Sequence, residues 1–172
     1  MNRKGFTLVE VLAVIIILGI VLVIATPGIS YIYKNSKLKN EKIFTTRLST
    51  IIDGYVKLNS HDIKFTAKGT ATKEGQTGTV TIYHGTINDR TVTINDIIGD
   101  KLISSEDYVN AGNKEAECNK NAEIEVYRDS DFVYCHKVEA SSLGCLTEDY
   151  IKSICPKENE TCYAIDTCIW SR

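Results

Sequence analysis

An uninterrupted apolar run near the start of the chain constrains its fold more than any other feature. No residue in 11–25 is polar, and Arg3 and Lys4 stand before the run. As a helix, residues 6–26 would be about 31 Å long, enough to cross the hydrocarbon core of a membrane. The basic start and the apolar run suit either a membrane helix or a secretory signal cleaved after Ala25.

The remainder of the chain has the composition of one soluble domain. The protein has 172 residues and a formal net charge of −2, which is enough chain for one domain with a core and too little for two of ordinary size. Lysine and arginine are not in surplus, which argues against a surface that neutralises nucleic-acid phosphates, although a local basic patch could form from distant residues. The sequence therefore predicts a globular domain anchored by its N-terminus.

The cysteines are confined to the last third of the chain. An even number of cysteines beside a membrane-directed N-terminus favours an oxidising extracellular compartment and up to three disulfides. No C-x-x-C pair occurs, which disfavours the alternative of a zinc site. The sequence does not choose among the possible pairings. The disulfide candidates are Cys118, Cys135, Cys145, Cys155, Cys162 and Cys168.

One carboxylate, that of Glu10, lies at the start of the apolar run. An ionised carboxylate inside a membrane helix costs about 3 kcal/mol or more, and such residues usually have a function. The alternative is that Glu10 lies at the level of the lipid headgroups, where the cost is small. Its position alone does not separate these two interpretations, and the neighbouring residues do.

The residues around Glu10 resemble the prepilin processing motif. Residues 3–10, RKGFTLVE, contain a basic leader, a glycine followed by phenylalanine, and a glutamate as the fifth residue after the glycine. This arrangement is similar to that of the type IV pilin superfamily, which includes pilins, the pseudopilins of type II secretion and the competence pseudopilins of Gram-positive bacteria. The resemblance covers residues 1–31, and the rest of the chain is compatible with it.

The resemblance implies processing of the N-terminus. A prepilin peptidase, which is an aspartyl membrane protease, would cut between Gly5 and Phe6, and the same enzyme family would N-methylate Phe6. The new terminus would carry a cationic amine, and Glu10 would supply the opposite charge, in the family to the terminus of a neighbouring subunit. Because an unpaired buried charge is costly, such a pair would select one axial register of a filament.

Two residues that weaken helices, Gly19 and Pro27, interrupt the apolar segment where family members often carry helix breakers. Proline removes one backbone hydrogen bond and crowds the carbonyl four residues earlier. One interpretation is that residues 25–28 are kinked or loosened, with Pro27 serving filament assembly together with Phe6 and Glu10. The other is that Pro27 ends the membrane span and a new helix begins there.

A helical period continues beyond the apolar run. Apolar residues recur at steps of three and four, and Asn59-Ser60 is typical of a helix stop. We expect this stripe to pack against a small β-sheet as core rather than to form a ligand groove. The stripe comprises Phe44, Leu48, Ile51, Ile52, Tyr55 and Leu58.

The segment after this helix predicts a loop and then short strands. Residues 64–78 are rich in Thr, Gly and Lys, which favours a loop. Residues 79–83 and 91–94 alternate between apolar and polar side chains, which is typical of strands. A short helix is expected over 95–102 with Asn95 as its N-cap.

The C-terminal third predicts one hairpin and a lobe with few strands. Residues 123–127 and 132–138 have the pattern of two strands joined at Asp129-Ser130. Residues 140–172 have little strand character. A helical turn is expected over 147–154 with Thr147 as its N-cap.

These elements predict an α+β, pilin-like fold, with a long N-terminal α-helix packed on a small antiparallel β-sheet head and a disulfide-rich C-terminal lobe. The predicted parts are a leader peptide over 1–5 and a transmembrane and assembly helix over 6–27. An amphipathic continuation of the helix follows over 28–60. The globular head is expected over 61–172, with its cysteine-rich lobe over 118–172.

The sequence contains no pattern that points to catalysis. A Gly-x-Ser-x-Gly elbow, a phosphate loop and a His-Glu-x-x-His run are all absent. Cys135 and His136 invite a thiol-catalysis interpretation, but adjacent residues of a strand point to opposite faces of the sheet. We therefore predict no enzyme activity, no catalytic or metal site and no cofactor.

The resemblance implies a structural subunit: a major or minor pilin, or a pseudopilin. Its partners would be other pilin subunits, the prepilin peptidase, membrane lipid before assembly, and the inner-membrane assembly platform with its ATPase. The chain would cross the cell membrane once before assembly and then belong to an extracellular filament on the cell surface. The alternatives are a minor pilin acting as an adhesin or DNA-binding module, and an unrelated membrane-anchored or secreted cysteine-rich protein.

Overall fold

The chain folds into two compact units, Met1–Lys37 and Leu38–Arg172. The computed structural model describes residues 7–73, 79–155 and 160–171. Helix α1 belongs to both units, and all other elements belong to the second. In chain order the elements are α1 (Leu8–Leu58), β1 (Lys64–Lys73), β2 (Thr79–Thr86), β3 (Val92–Thr93), α2 (Ile94–Gly99), β4 (Glu123–Asp129), β5 (Tyr134–Glu139), α3 (Ala140–Leu143), α4 (Glu148–Ile154), β6 (Tyr163–Asp166) and β7 (Trp170–Ser171).

The C-terminal part of α1 supplies one side of the main core. Its buried apolar side chains are Phe44, Leu48, Ile52, Tyr55 and Val56. Steps of three and four keep these residues on one helix face, so the predicted core stripe is confirmed in this part. Leu58 was expected in the stripe and is instead 74% exposed. The helix ends at Leu58 and the chain turns there, with the Asn59 N–H donating to the Tyr55 carbonyl at 2.9 Å.

The other side of the main core is an antiparallel sheet. Six strands follow the order β6-β5-β4-β2-β1-β7, and β3 pairs separately with β4. The β4–β5 hairpin matches the predicted one, with Val126 opposite His136 and Tyr127 opposite Cys135. Ile124 and Val126 are fully buried in the same core as Ile52, since alternate residues of β4 point toward that side. A long helix followed by an antiparallel sheet confirms the α+β, pilin-like class.

Strand β1 corrects the prediction of a loop over 64–78. It pairs antiparallel with β2 from Lys64 opposite Thr86 to Thr72 opposite Thr79, with a bulge between Ala67 and Gly69. The strand is mostly exposed, and apart from Phe65 it carries Thr, Lys, Ala and Gly instead of large apolar residues. Backbone hydrogen bonds to β2 hold this strand. Its sequence therefore lacks the sustained alternation of apolar and polar residues from which a strand would be predicted. The rest of the predicted loop, 74–78, lies outside the described residues.

The start of helix α2 differs from the prediction. Its N-cap is Thr93 rather than Asn95, because the Thr93 N–H donates to the Asp96 carboxylate at 2.8 Å as part of a capping box. Arg90 donates to the same carboxylate at 2.9 Å. The hydrogen bond from Arg90 holds the pKa of Asp96 below its usual value, although desolvation opposes this. The first turn of α2 is thereby tied to the loop before β3.

The C-terminal segment contains more strand than its sequence predicted. Strand β6 pairs with β5, placing Ile165 opposite Val138, and β7 pairs with Thr72 and Lys73 of β1. Both strands are short and lie at the two edges of the sheet. Segments this short show too little alternation of apolar and polar residues to be predicted as strands. Helix α4 begins after Thr147 as predicted, with the Tyr150 N–H donating to the Thr147 hydroxyl at 3.3 Å.

Candidate functional site: the N-terminal helix and its connection to the head

Glu10 lies in the first turn of α1 and forms a reciprocal cap with Thr7. The Glu10 N–H donates to the Thr7 hydroxyl at 3.3 Å, and the Thr7 N–H donates to the Glu10 carboxylate at 3.4 Å. This is the geometry of a capping box, in which two of the unpaired N–H groups of a helix start find acceptors. Gly5 and Phe6, the predicted cleavage and methylation residues, lie outside the described residues.

The apolar residues that follow Glu10 are uncovered. Between Leu8 and Ile24 every large apolar side chain is between 51% and 82% exposed. Helix α1 contains one segment that is long and apolar enough to cross a membrane, judged by length and composition, and none of it is buried. An exposed apolar surface of this size is typical of a site that contacts lipid or other proteins, and it fits anchoring in a membrane.

Helix α1 passes through position 27 without a break. The interpretation that a new helix begins at Pro27 is therefore wrong. A proline inside a long helix removes one hydrogen bond, and the turns on both sides keep theirs, so the helix can continue. Gly19 is also helical, and a Cβ at this position would meet nothing within 4 Å in the described part of the chain.

In the second unit, a buried carboxylate links α1 to the C-terminal lobe. Glu41 is fully buried and accepts from the Thr147 N–H and the Thr147 hydroxyl, each at 2.7 Å. It also accepts from the Asn110 amide at 3.2 Å, and Asn110 donates to the Cys145 carbonyl at 2.8 Å. The carboxylate thus holds the start of α4 and the segment around Asn110 against the helix.

Sequence analysis missed Glu41, although its spacing carried a signal. Glu41 precedes Phe44 by three residues and Leu48 by seven, which places it on the same face as the core stripe. A carboxylate on a buried face requires hydrogen-bond donors, since an unpaired buried charge is costly. Those donors come from Asn110 and Thr147, which are 69 and 106 residues away in sequence.

The neighbours Cys135 and His136 point to opposite sides of the sheet, as predicted. Cys135 forms a disulfide with Cys168, and the His136 Nε2 lies 3.0 Å from the Ser49 hydroxyl on α1. Burial lowers the pKa of His136 to about 4, with the charges of Asp53 and Asp166 opposing the shift. The pair does not form a thiol–imidazole site, because the sulfur is bonded and the ring packs on the helix.

All six cysteines form disulfides within the second unit. Cys118 pairs with Cys145, Cys135 with Cys168, and Cys155 with Cys162. The first joins the segment before the β4–β5 hairpin to the segment after α3. The second lies on the sheet face opposite α1, and the third closes a short loop after α4. Among the residues that the structure describes, no cluster of three or more His, Cys, Asp or Glu side chains is arranged to hold a metal.

Comparison with known proteins supports the assignment of the N-terminus. Residues 1–26 match the family model for the prokaryotic N-terminal methylation motif, which is the signature of type IV pilin and pseudopilin precursors. The chain carries the prepilin signature. The matched segment contains Glu10 and most of the exposed apolar helix, and prepilins of this kind are structural subunits rather than known enzymes. No curated protein and no solved structure matches the chain.

Proposed function

We propose that this chain is a structural subunit of a type IV pilus-like filament, either a pilin or a pseudopilin. The observation that carries the proposal is the methylation motif over residues 1–26 in register with an apolar helix whose side chains are uncovered. Membrane lipid would cover this helix before assembly, and the equivalent helices of other subunits would cover it afterwards. The second unit, with its own core and three disulfides, would form the exposed surface of the filament.

Processing would create a positively charged amine at Phe6, with which the Glu10 carboxylate could form an ion pair. Prepilin peptidase would cut between Gly5 and Phe6, and the methylated amine of Phe6 would remain cationic. In the uncut chain the Glu10 carboxylate accepts only a long hydrogen bond, at 3.4 Å from the Thr7 N–H, within the described residues. A carboxylate that accepts from one neutral donor can still bind a cation. In apolar surroundings an unpaired charge is costly, so this ion pair would favour the axial register of the filament in which it forms.

The proposal also assigns partners and location. The prepilin peptidase would process the chain, and an inner-membrane assembly platform with its ATPase would add it to the filament. Before assembly the chain would cross the cell membrane once. A filament grows from a head-to-tail contact that does not close into a ring. The exposed apolar helix supports such a contact, because its apolar surface between Leu8 and Ile24 is available to neighbouring subunits on every side of the helix.

A substitution at Glu10 tests the assembly step. The variant Glu10→Val should insert, be cleaved and accumulate in the membrane, yet be lost from the filament fraction sheared from cells by at least tenfold. The variant Thr7→Val is the matched control, because it removes the hydroxyl of the capping box and keeps the carboxylate. It should retain most of the filament fraction. A simple membrane anchor would give the same distribution for Glu10→Val and the wild type, and that result would contradict the proposal.

A further inference from the structure

Two tyrosines and two lysines follow the apolar part of α1. The side chains of Tyr31 and Tyr33 are 70% and 63% exposed, and Ile32 between them is 68% exposed. Lys34 and Lys37 come directly after them. Tyrosine is enriched where a helix leaves a membrane, because its ring is apolar and its hydroxyl is polar, and lysine extends its ammonium group to the same level.

The lysine side chains are directed back toward the apolar run. Side chains of an α-helix tilt toward its N-terminus, so each covers the turn before its own Cα. For Lys37 this direction is visible, because its Nζ lies 5.0 Å from the centre of the Tyr33 ring, four residues earlier. This cation–π contact holds the ammonium group beside the aromatic ring. Positive charge and aromatic surface therefore lie at one level of the helix.

The length of helix between Glu10 and Tyr31 matches the thickness of a membrane. Helix α1 is continuous through both positions, and the 21 residue steps between them correspond to about 32 Å at about 1.5 Å per residue. An average tilt of about 20° reduces this to about 30 Å, the thickness of a hydrocarbon core. Residues 11–30 contain no charged side chain, so all of them can lie in this core. The fully apolar residues 11–25 alone, about 22 Å long, are too short to cross it.

We propose that residues 31–37, the anchor segment, hold the chain at the outer surface of the cell membrane before assembly. Its tyrosine rings lie among the lipid headgroups, and the ammonium groups of Lys34 and Lys37 lie on the phosphates of anionic lipids. Residues 11–30 then fill the hydrocarbon core, and Glu10 lies at the opposite surface. Basic residues next to a membrane span are attracted to anionic lipid. The inference rests on membrane anchoring, which is part of the proposed function, and not on filament assembly.

This register gives the Glu10 carboxylate two environments. In the membrane it lies at headgroup level, where an ionised group stays hydrated and the cost is small. In the proposed filament it is surrounded by apolar helices, and there the amine of Phe6 from a neighbouring subunit is present to pair with it. The carboxylate is therefore desolvated only where its partner is available, which avoids the cost of an unpaired buried charge.

Two tryptophan variants measure the register. Ile20 lies midway between Glu10 and Tyr31, and Ile15 lies five residues earlier; they are 57% and 59% exposed, which makes Ile20→Trp and Ile15→Trp a matched pair. Both are made with Trp170→Phe, which removes the natural tryptophan.

The full chain is placed in vesicles of equal parts phosphatidylcholine and phosphatidylglycerol, and lipids brominated at known depths quench the fluorescence. The tryptophan of Ile20→Trp should lie within about 3 Å of the bilayer centre, and that of Ile15→Trp about 8 Å from it. The reverse order would place Glu10 inside the core and overturn the inference.

A third tryptophan tests the lipid contact of the anchor segment. Tyr31→Trp, again with Trp170→Phe, keeps an aromatic ring there. Phosphatidylglycerol brominated near its glycerol should quench this tryptophan at least about threefold more strongly than phosphatidylcholine brominated at the same carbons, because the lysines attract the anionic lipid. Replacing Lys34 and Lys37 together with glutamine should abolish the preference. Lys57→Gln is the control, because Lys57 is on the same helix, has a 64% exposed side chain and pairs with Asp53.

Several results would overturn the inference. Equal quenching by the two lipids, a preference that survives the loss of both lysines, or an equal loss in Lys57→Gln would each do so. Quenching by iodide in the water but not by brominated lipid would place the anchor segment outside the membrane, and protection from both would show that another copy of the chain covers it. None of these results bears on assembly. A Glu10→Val chain that enters filaments normally would contradict the proposed function and leave the measured depths unchanged.

Discussion

Apolar side chains are exposed in the N-terminal part of helix α1 and buried in its C-terminal part. Between Leu8 and Ile24 all the large apolar side chains are more than half exposed, whereas Leu48, Ile52 and Val56 are almost completely buried. The same helix thus carries a surface that the chain itself does not cover and a surface that it covers with a sheet. Hydrophobicity alone therefore does not locate the core. The N-terminal part of the helix is apolar but is not covered by the described residues of the chain.

The two glutamates of α1 repeat this contrast. Among the described residues, the Glu10 carboxylate accepts one hydrogen bond, at 3.4 Å, and its side chain is exposed. Glu41 is fully buried and accepts three hydrogen bonds. Glu41 therefore contributes to the stability of the head, whereas Glu10 has the role in filament assembly only as proposed above.

The largest effect on stability is expected when a buried side chain of α1 is shortened. Ile52→Ala should lower the free energy of unfolding of the head by about 4 kcal/mol, because it removes buried apolar surface and leaves a cavity. Ile20→Ala makes the same chemical change at an exposed position and should alter head stability by less than about 0.5 kcal/mol. Denaturant unfolding of the full chain in detergent, followed by near-UV circular dichroism, measures both. Equal losses would show that the two ends of the helix are not energetically distinct.

The disulfides should differ in their contribution according to the loops they close. Replacing Cys135 and Cys168 with alanine opens a loop spanning 33 residues and should cost about 3.5 kcal/mol. Replacing Cys155 and Cys162 opens a loop spanning 7 residues and should cost about 2 kcal/mol. Thermal unfolding of the two double variants gives the order. The reverse order would mean that loop entropy does not govern how these disulfides stabilise the head.

The buried glutamate gives a somewhat smaller effect. Glu41→Gln keeps the shape of the side chain but turns an amide donor toward groups that already donate, so we expect a loss of about 2 kcal/mol in head stability. Glu10→Gln is the same substitution at the other end of the helix and should leave head stability unchanged. Urea unfolding of both variants tests this pair. A stable Glu41→Gln head would show that the Thr147 contacts contribute little.

An effect of similar size is expected from pH. Burial lowers the pKa of His136 from 6.5 to about 4, so the unfolded chain binds a proton in this pH window that the folded chain does not. Stability should therefore be full above pH 6.5 and fall as the pH drops, by about 2 kcal/mol between pH 7 and pH 5. His136→Gln should flatten this part of the profile. An unchanged slope would assign the acid sensitivity to other groups.

The sequence predicted the parts of the structure that depend on local pattern. The helix over the apolar run, the core stripe from Phe44 to Tyr55, the β4–β5 hairpin and the cap at Thr147 follow from periodicity and end signals within about ten residues. The motif around Glu10 is also local. These features needed no knowledge of the rest of the chain.

The features that the sequence did not predict depend on distant partners. Strand β1 has one large apolar residue, Phe65, and is held by backbone pairing with β2. Strands β6 and β7 are short edge strands. Glu41 meets Thr147 across 106 residues. The cysteine pairing likewise arises only when the sheet brings separate segments together.

The mass of the mature protein from its native cell tests the central claim most directly. The account predicts a chain that has lost residues 1–5 and begins at Phe6 with one added methyl group on its amine. Reduction should then increase the mass by about two units for each of the three disulfides. A chain that begins at Thr26, or one that still carries Met1, would contradict prepilin processing and leave an anchored or secreted cysteine-rich domain.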